Sequence, residues 1–272
     1  HERLHGELFC NDSAKDILSL LLSECSSAKV DIKTKCTVSS ITATITTPTS
    51  QNNIDKTTDE VKNDSINNGS RYQLQSNLGN FSCHSLVIAT GGLSIPTMGS
   101  SSFGYDIAAQ FGLNMLPRRA GLVPFTFSDA TKTMTERLSG LALDVSMYTE
   151  KQAFRENMLF THRGISGPTA LQLSNYWDLG ETIKIDLLPN EDIEALLLNA
   201  KVEQTNALLR TVLSKQLSKS LVLELQELIW KEHAEKPIGQ HSDVSLKQIA
   251  QTLSHWQLKP SGTEGYRTAE VT

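Results

Sequence analysis

The sequence has 272 residues, of which 39% are hydrophobic and 20% charged, and its net charge is -5. This composition is ordinary for a globular protein, and the length exceeds that at which one core usually divides, so we expect two or three domains. The acidic balance, without a clustered stripe of Lys and Arg, argues against a nucleic-acid-binding surface. No apolar run reaches the length of a membrane helix.

The cysteines give no sign of a metal or redox site. Cys10, Cys25, Cys36 and Cys83 lack the C-x-x-C spacing that zinc sites and thioredoxin-like pairs use. We therefore expect no metal. Reduced thiols in a cytoplasmic protein are the simpler account.

The first predicted elements are a helix and several short strands. Asp12 or Ser13 is a candidate cap for a helix over residues 14–26, with an apolar face that consists of Ile17, Leu18, Leu21 and Leu22. Strands are predicted at 30–33, 37–45, 71–76 and 80–84. Residues 46–70 are almost wholly polar, which predicts a long mobile loop in a hairpin.

The segment 84–112 organises the chain. Residues 86–89 form a short apolar run, typical of a buried strand in a parallel sheet, and the run ends at Gly91-Gly92. Two glycines let a ligand approach bare backbone, and ligands of open α/β sheets bind at the carboxyl ends of strands. An isolated glycine pair is also consistent with a simple turn.

The remaining elements predict a β unit that contains a helical insertion. A helix over 103–111 should end at Gly112, and a second should begin at Ser166-Gly167-Pro168. Strands are predicted at 121–127, 141–149 and 182–187. Leu and Ile at helical spacing between 191 and 256 predict a small bundle, after which 265–271 is extended.

Five strings resemble, in order and spacing, the YhiN/BaiN-type family of FAD-dependent flavoproteins. They are ATGG, LSIPTMGSSSFGY, GLVPF, LFTHRGISGPTALQLS and EGYRTAEVT. With this resemblance we expect an α/β fold with inserted β and α units. A partial, doubly wound FAD-binding domain would span 1–116, with 46–70 as a flexible loop. A β-barrel-like domain would span 117–190 and 257–272, and a helical bundle 191–256.

The resemblance also implies that the chain is the middle of a longer protein. The G-x-G-x-x-G phosphate loop of dinucleotide-binding domains is absent, and in the family it lies upstream of these residues. A further flavin-contacting segment follows the final EVT in the family. We therefore expect the fragment alone to be inactive and to bind FAD weakly.

The candidate site residues follow from the same resemblance. It implies that Val38 lies beside the adenine through its backbone, and that Ala89, Thr90, Gly91 and Gly92 lie beside the dinucleotide; an ordinary strand residue is the alternative for Val38. Flavin chemistry needs no protein nucleophile, so no catalytic triad is expected. The catalytic residues are not identified. The candidates are Tyr105 as a proton donor and His162 with Arg163 as binders of a substrate carboxylate or carbonyl, and their alternatives are packing and loop hydrogen bonding.

The expected function is that of an FAD-dependent oxidoreductase. It would use NAD(P)H and act on carbon–carbon bonds next to a carbonyl of a small molecule, with no nucleic acid or membrane as partner. One alternative is a binding or docking module in which the flavin does not turn over. Another is flavin-assisted modification of RNA.

Overall fold

The computed structural model describes residues 8–43 and 70–272. The chain divides into two compact units, His1–Ile88 and Ala89–Thr272. Each unit has its own sheet.

The first unit contains one helix and a three-stranded antiparallel sheet. Its elements are α1 (Lys15–Ser27), β1 (Val38–Ala43), β2 (Tyr72–Ser76) and β3 (Gly79–Cys83), with the strand order β1-β2-β3. Asn77 lies in the β2–β3 turn, where its side chain accepts from the Thr37 N–H at 2.7 Å and donates to the Lys35 carbonyl at 3.0 Å. The three strands and α1 confirm the helix and hairpin predicted there.

Other predictions for the first unit are wrong. Ala14 and not Asp12 or Ser13 holds the N-cap position of α1, although the Ser13 hydroxyl accepts from the Lys15 N–H at 3.2 Å. None of the helix residues is buried, so the predicted apolar face is exposed. Residues 30–33 form no strand. The predicted loop at 46–70 lies outside the described residues, except for Ser70.

The predicted parallel strand at residues 86–89 is also wrong. These residues are neither helix nor strand, and Val87 is 83% exposed. A buried strand needs hydrogen-bonding partners along its edges. Within 8–43 and 70–272 every strand pair is antiparallel, and no pair includes this segment.

The second unit contains a seven-stranded antiparallel sheet with the order β10-β4-β7-β6-β5-β8-β9. The strands are β4 (Phe125–Thr126), β5 (Ala142–Tyr148), β6 (Ala153–Thr161), β7 (Gly164–Ser166), β8 (Ile183–Asp186), β9 (Trp256–Leu258) and β10 (Gly262–Thr263). Within the described ranges, β9 and β10 do not pair with each other. The sheet is therefore open, and the predicted barrel-like unit is an antiparallel sheet without closure.

The α-helices of the second unit are α2 (Phe103–Gln110), α3 (Asp129–Arg137), α4 (Pro168–Ser174), α5 (Ile193–Glu203), α6 (Leu209–Leu213), α7 (Lys219–Leu225) and α8 (Asp243–Ser254). Helices α3, α4 and α8 contact the sheet, and α5 packs on α8. Helices α5 to α8 lie between β8 and β9 in the chain, as the sequence predicted. One continuous cluster of buried residues includes the sheet and these helices, for example Phe160, Ile185 and Leu253.

The GISGP string is explained by close backbone packing. A Cβ atom at Gly164 would collide with the carbonyl oxygen of Phe125 on the neighbouring strand, and one at Gly167 would lie 2.7 Å from the carbonyl oxygen of Asn157. Gly167 also takes the N-cap position of α4, which has no side-chain cap, and Pro168 begins the helix as predicted. The two glycines bring backbones together, which is a structural role.

The substitution Gly164→Ala should therefore destabilise the protein by about 1–3 kcal/mol or more, because the clash is with main chain that cannot move aside. Thermal unfolding would measure this as a lower Tm. Gly262→Ala is the matched control, since its Cβ would meet only the Thr126 hydroxyl at 3.6 Å. Equal Tm values for the two variants would contradict this explanation.

His241 is a buried titratable group within the helical part of the second unit. Only 2% of it is exposed, and neither ring nitrogen meets the geometry of a hydrogen bond with a described residue. Burial is the largest cause that lowers its pKa, and the charges of Lys236, His233 and Lys201 lower it further, while the main chain of Lys236 partly opposes the shift. The neutral imidazole is therefore favoured in the folded protein.

This lowered pKa predicts acid sensitivity. The unfolded imidazole titrates near pH 6.5 and the folded one at lower pH, so the unfolded chain binds more protons as the pH falls below 6.5. The contribution of neutral His241 to the free energy of unfolding should be fully present above pH 6.5 and should decline below it. Urea unfolding at several pH values would show this decline in the wild type and a shallower one in His241→Gln. Identical pH dependence in both proteins would contradict the assignment to His241.

Candidate functional site

The glycine loop, residues 89–99, presents bare main chain. Ala89, Thr90 and Gly91 are exposed, and within the described ranges no hydrogen bond uses their backbone N–H groups. Gly91 has a φ of +71°, and a Cβ atom built there would meet nothing within 4 Å. At Gly91, where no side chain is present, an N–H donor that no other group uses is suited to a phosphate of a dinucleotide.

The far end of the sequence holds this loop in place. The Leu93 N–H donates to the Thr272 hydroxyl at 3.1 Å, and the hydroxyls of Ser94 and Thr272 are 2.9 Å apart. The Ile95 N–H donates to the Tyr266 carbonyl at 2.8 Å. Ile95 has a φ of +56°, which is unfavourable for a β-branched residue and marks local strain. The surrounding hydrogen bonds hold it in that conformation.

Gly92 and Gly91 have different roles. A Cβ atom at Gly92 would lie 2.8 Å from the Thr272 hydroxyl oxygen and 3.0 Å from the Tyr105 hydroxyl oxygen. Gly92 therefore permits close packing of these two side chains. Of the glycine pair, only Gly91 has open backbone.

Tyr105 on α2 is the predicted catalytic candidate that the structure brings to the glycine loop. The guanidinium of Arg118 lies over its ring, 4.7 Å from the centroid, and fixes the ring by a cation–π contact. Within the described residues, no hydrogen bond is formed by the Tyr105 hydroxyl. That hydroxyl is therefore available to a ligand at the loop.

The predicted pair His162 and Arg163 is not joined to this cluster. His162 and Arg163 are exposed in the β6–β7 turn, and no hydrogen bond or ion pair of the described residues joins their side chains to the glycine loop. Val38 lies in the first unit, half-buried at the start of β1, where the register with β2 shifts between Val38 and Ser40.

Sequence reasoning missed three residues of the cluster, Ser94, Thr272 and Arg118. Ser94 and Thr272 both belong to strings that carried the family resemblance, so their co-occurrence was an available signal. No sequence signal indicated that Arg118 lies over Tyr105, because residues 111–118 form no helix or strand.

The described ranges also bear on metals and membranes. Within 8–43 and 70–272, no group of three or more His, Cys, Asp or Glu side chains is placed to hold a metal ion. In the same ranges, no helix has the length and apolar character to cross a membrane. The four cysteines are free and partly buried.

Two models of protein domains match the chain, a Rossmann domain and a barrel and H2TH domain. Residues 1–166 match the family model described as HI0933-like protein Rossmann domain, and residues 119–271 match the HI0933-like protein barrel and H2TH domain. The chain belongs to the HI0933-like protein family.

Two curated relatives carry the name ribosomal RNA dihydrouridine synthase. The relative from Escherichia coli (strain K12) is 42% identical over 281 residues, and the one from Haemophilus influenzae (strain ATCC 51907 / DSM 11121 / KW20 / Rd) is 39% identical over 276 residues. Each comparison covers 100% of this chain and 62% of the relative, so the chain spans less than two thirds of their length.

These names correct one prediction. The expectation that no nucleic acid is a partner is wrong, because both relatives are named for action on ribosomal RNA. The expectation rested on the net charge of -5, which describes the whole chain and not any one surface.

The packing at Gly92 predicts a specific coupling. Gly92→Ala should destabilise the protein by about 1–3 kcal/mol, because the Thr272 hydroxyl is held by Leu93 and Ser94 and cannot move freely. The cost should be smaller in a Thr272→Ala background, which removes the nearest atom. A double-mutant cycle of unfolding free energies measures this coupling, and additive effects would contradict the contact.

Proposed function

We propose that the full-length protein is an FAD-dependent enzyme that uses NAD(P)H to reduce uridine to dihydrouridine in ribosomal RNA. The observation that carries the proposal is the pair of relatives with that name, at 42% and 39% identity over the whole chain. The matched Rossmann-domain model supports the dinucleotide part of the proposal. The narrower resemblance to YhiN/BaiN-type flavoproteins belongs to the same proposal, as does a cytoplasmic location.

The reduction of uracil combines two predictions from the sequence, action on a carbon–carbon bond next to a carbonyl and flavin-assisted modification of RNA. Its C5–C6 double bond is conjugated to the C4 carbonyl, so its reduction is that of a carbon–carbon bond next to a carbonyl. NAD(P)H supplies a hydride, which adds to C6, and a proton adds to C5; the products are dihydrouridine and NAD(P)+. The proposed substrate is therefore a base within RNA and not the small molecule that the sequence analysis expected.

The residues of the glycine loop fit an FAD group. Exposed N–H groups at Ala89, Thr90 and Gly91 would face the dinucleotide, with Gly92 giving close packing behind them. Val38 would contact the adenine through its backbone. FAD, when bound, supplies hydride transfer between the nicotinamide and the substrate. The domain bounds 1–116, 117–190 with 257–272, and 191–256 remain part of this proposal.

Tyr105 is proposed as the proton donor to C5. Its hydroxyl lies next to Gly92 and has no hydrogen bond within the described residues, and Arg118 holds its ring. His162 and Arg163 are exposed and are proposed to contact the RNA substrate beside its carbonyl groups. As a positioned general acid, Tyr105 would increase the rate about 10²- to 10⁴-fold.

The test uses full-length protein, NADH or NADPH, and ribosomal RNA transcribed without modifications. We expect a flavin spectrum that bleaches with reduced nicotinamide and recovers with the RNA, and a mass gain of two hydrogens in the RNA. Flavin without reduction of RNA would contradict the proposal and favour the docking alternative. Protein that takes up no FAD would contradict it at an earlier step.

For Tyr105, the variant Tyr105→Phe should lower kcat for RNA reduction about 10²-fold or more while the flavin content stays unchanged. Tyr176→Phe is the matched control, since Tyr176 is exposed and its ring lies tilted against Phe154 of the sheet, with the centroids 5.6 Å apart. An unchanged kcat in Tyr105→Phe would show that Tyr105 is not the proton donor.

A further inference from the structure

A basic notch lies beside α6 and α7 of the second unit. It is a cavity of about 460 Å³, and the lining residues used here are Arg210, Thr211, Ser214, Lys215, Lys219 and Leu223. The lining contains three cationic and two hydroxyl side chains and no carboxylate. Lys215, Lys219 and the two hydroxyls therefore offer hydrogen-bond donors to an anion, whereas Arg210 is already paired with Glu235.

Three other lysines of the helical part, residues 191–256, are neutralised by carboxylates. The ion pairs are Lys201–Asp243 at 2.6 Å, Lys231–Glu227 at 3.0 Å and Lys247–Glu194 at 2.8 Å. In contrast, neither Lys215 nor Lys219 has a carboxylate within ion-pair distance in the described part of the chain. Lys215 donates only to the neutral side chain of Gln204. Lys215 and Lys219 are thus two unpaired positive charges that lie together at the notch.

Arg210 lines one side of the notch, and hydrogen bonds hold its side chain in place. Its guanidinium donates to Glu235 Oε2 at 3.0 Å and to the Ala234 carbonyl at 3.1 Å. Because Glu235 neutralises Arg210, the net positive charge at the notch comes from Lys215 and Lys219. Both lysines are exposed and can reach a bound anion.

We propose that the basic notch binds the phosphate backbone of the RNA on which the enzyme acts. Ammonium and hydroxyl donors match phosphate oxygens, and Leu223, which is 51% exposed, offers an apolar contact to the adjoining ribose or base. Such a contact supplies affinity and orientation without recognising sequence. The inference rests on the proposed function and adds to it the surface that holds the RNA.

The test measures binding of unmodified ribosomal RNA transcripts to the full-length protein from about 50 to about 200 mM salt, over which phosphate contacts weaken strongly. The double variant Lys215→Gln/Lys219→Gln should bind more weakly. Its slope of log affinity against log salt should be shallower by roughly 1 for each lysine removed. Lys215→Arg/Lys219→Arg should keep the wild-type slope, since the charges remain.

The matched control is Lys231→Gln/Lys247→Gln, which removes the same charge from the same group of helices outside the notch. It should keep the wild-type slope. If Lys215→Gln/Lys219→Gln behaves like this control while the wild type binds and reduces the RNA, the notch assignment is overturned and the proposed function stands. If the wild type neither binds nor reduces RNA, the proposed function fails and the inference fails with it.

Discussion

The candidate site depends on the hydrogen bonds that join residues 262–272 to residues 121–126. β10 pairs with β4, and Gly121 and Val271 exchange backbone hydrogen bonds of 3.0 and 3.3 Å. From this anchored segment, Tyr266 and Thr272 hold the glycine loop. Because β4 also packs Phe125 into the core, the position of an exposed loop is set by the interior of the sheet.

The sequence predicts elements well where the pattern is local. Helix α2 and the β2–β3 hairpin have periodic apolar residues or turn residues, and each is found near its predicted position. Helix α8 lies within the predicted bundle at 191–256. The sequence predicts poorly where tertiary partners decide. Residues 86–89 are apolar and β-branched, yet a strand also needs a neighbour, and none pairs with them among the described residues. Strand β6 was not predicted, because Arg155, Glu156 and Asn157 interrupt its apolar pattern.

The site was predictable only in part, for the same reason. The glycine pair signalled close approach of something to the backbone, but it could not show that Gly92 accommodates Thr272 while Gly91 is open. GISGP departs from the G-x-S-x-G nucleophile motif only at its final position, yet its glycines serve strand packing. The net charge suggested that RNA was excluded, whereas binding depends on where unpaired cations lie, and Lys215 and Lys219 lie together.

The central claim is that the exposed main chain at residues 89–91 faces the cofactor of an RNA-reducing flavoprotein. Hydrogen–deuterium exchange of the full-length protein, with and without FAD, tests it most directly because it measures those N–H groups themselves. The account predicts that FAD slows exchange at Ala89, Thr90 and Gly91. Unchanged exchange at these three residues in protein saturated with FAD would contradict it.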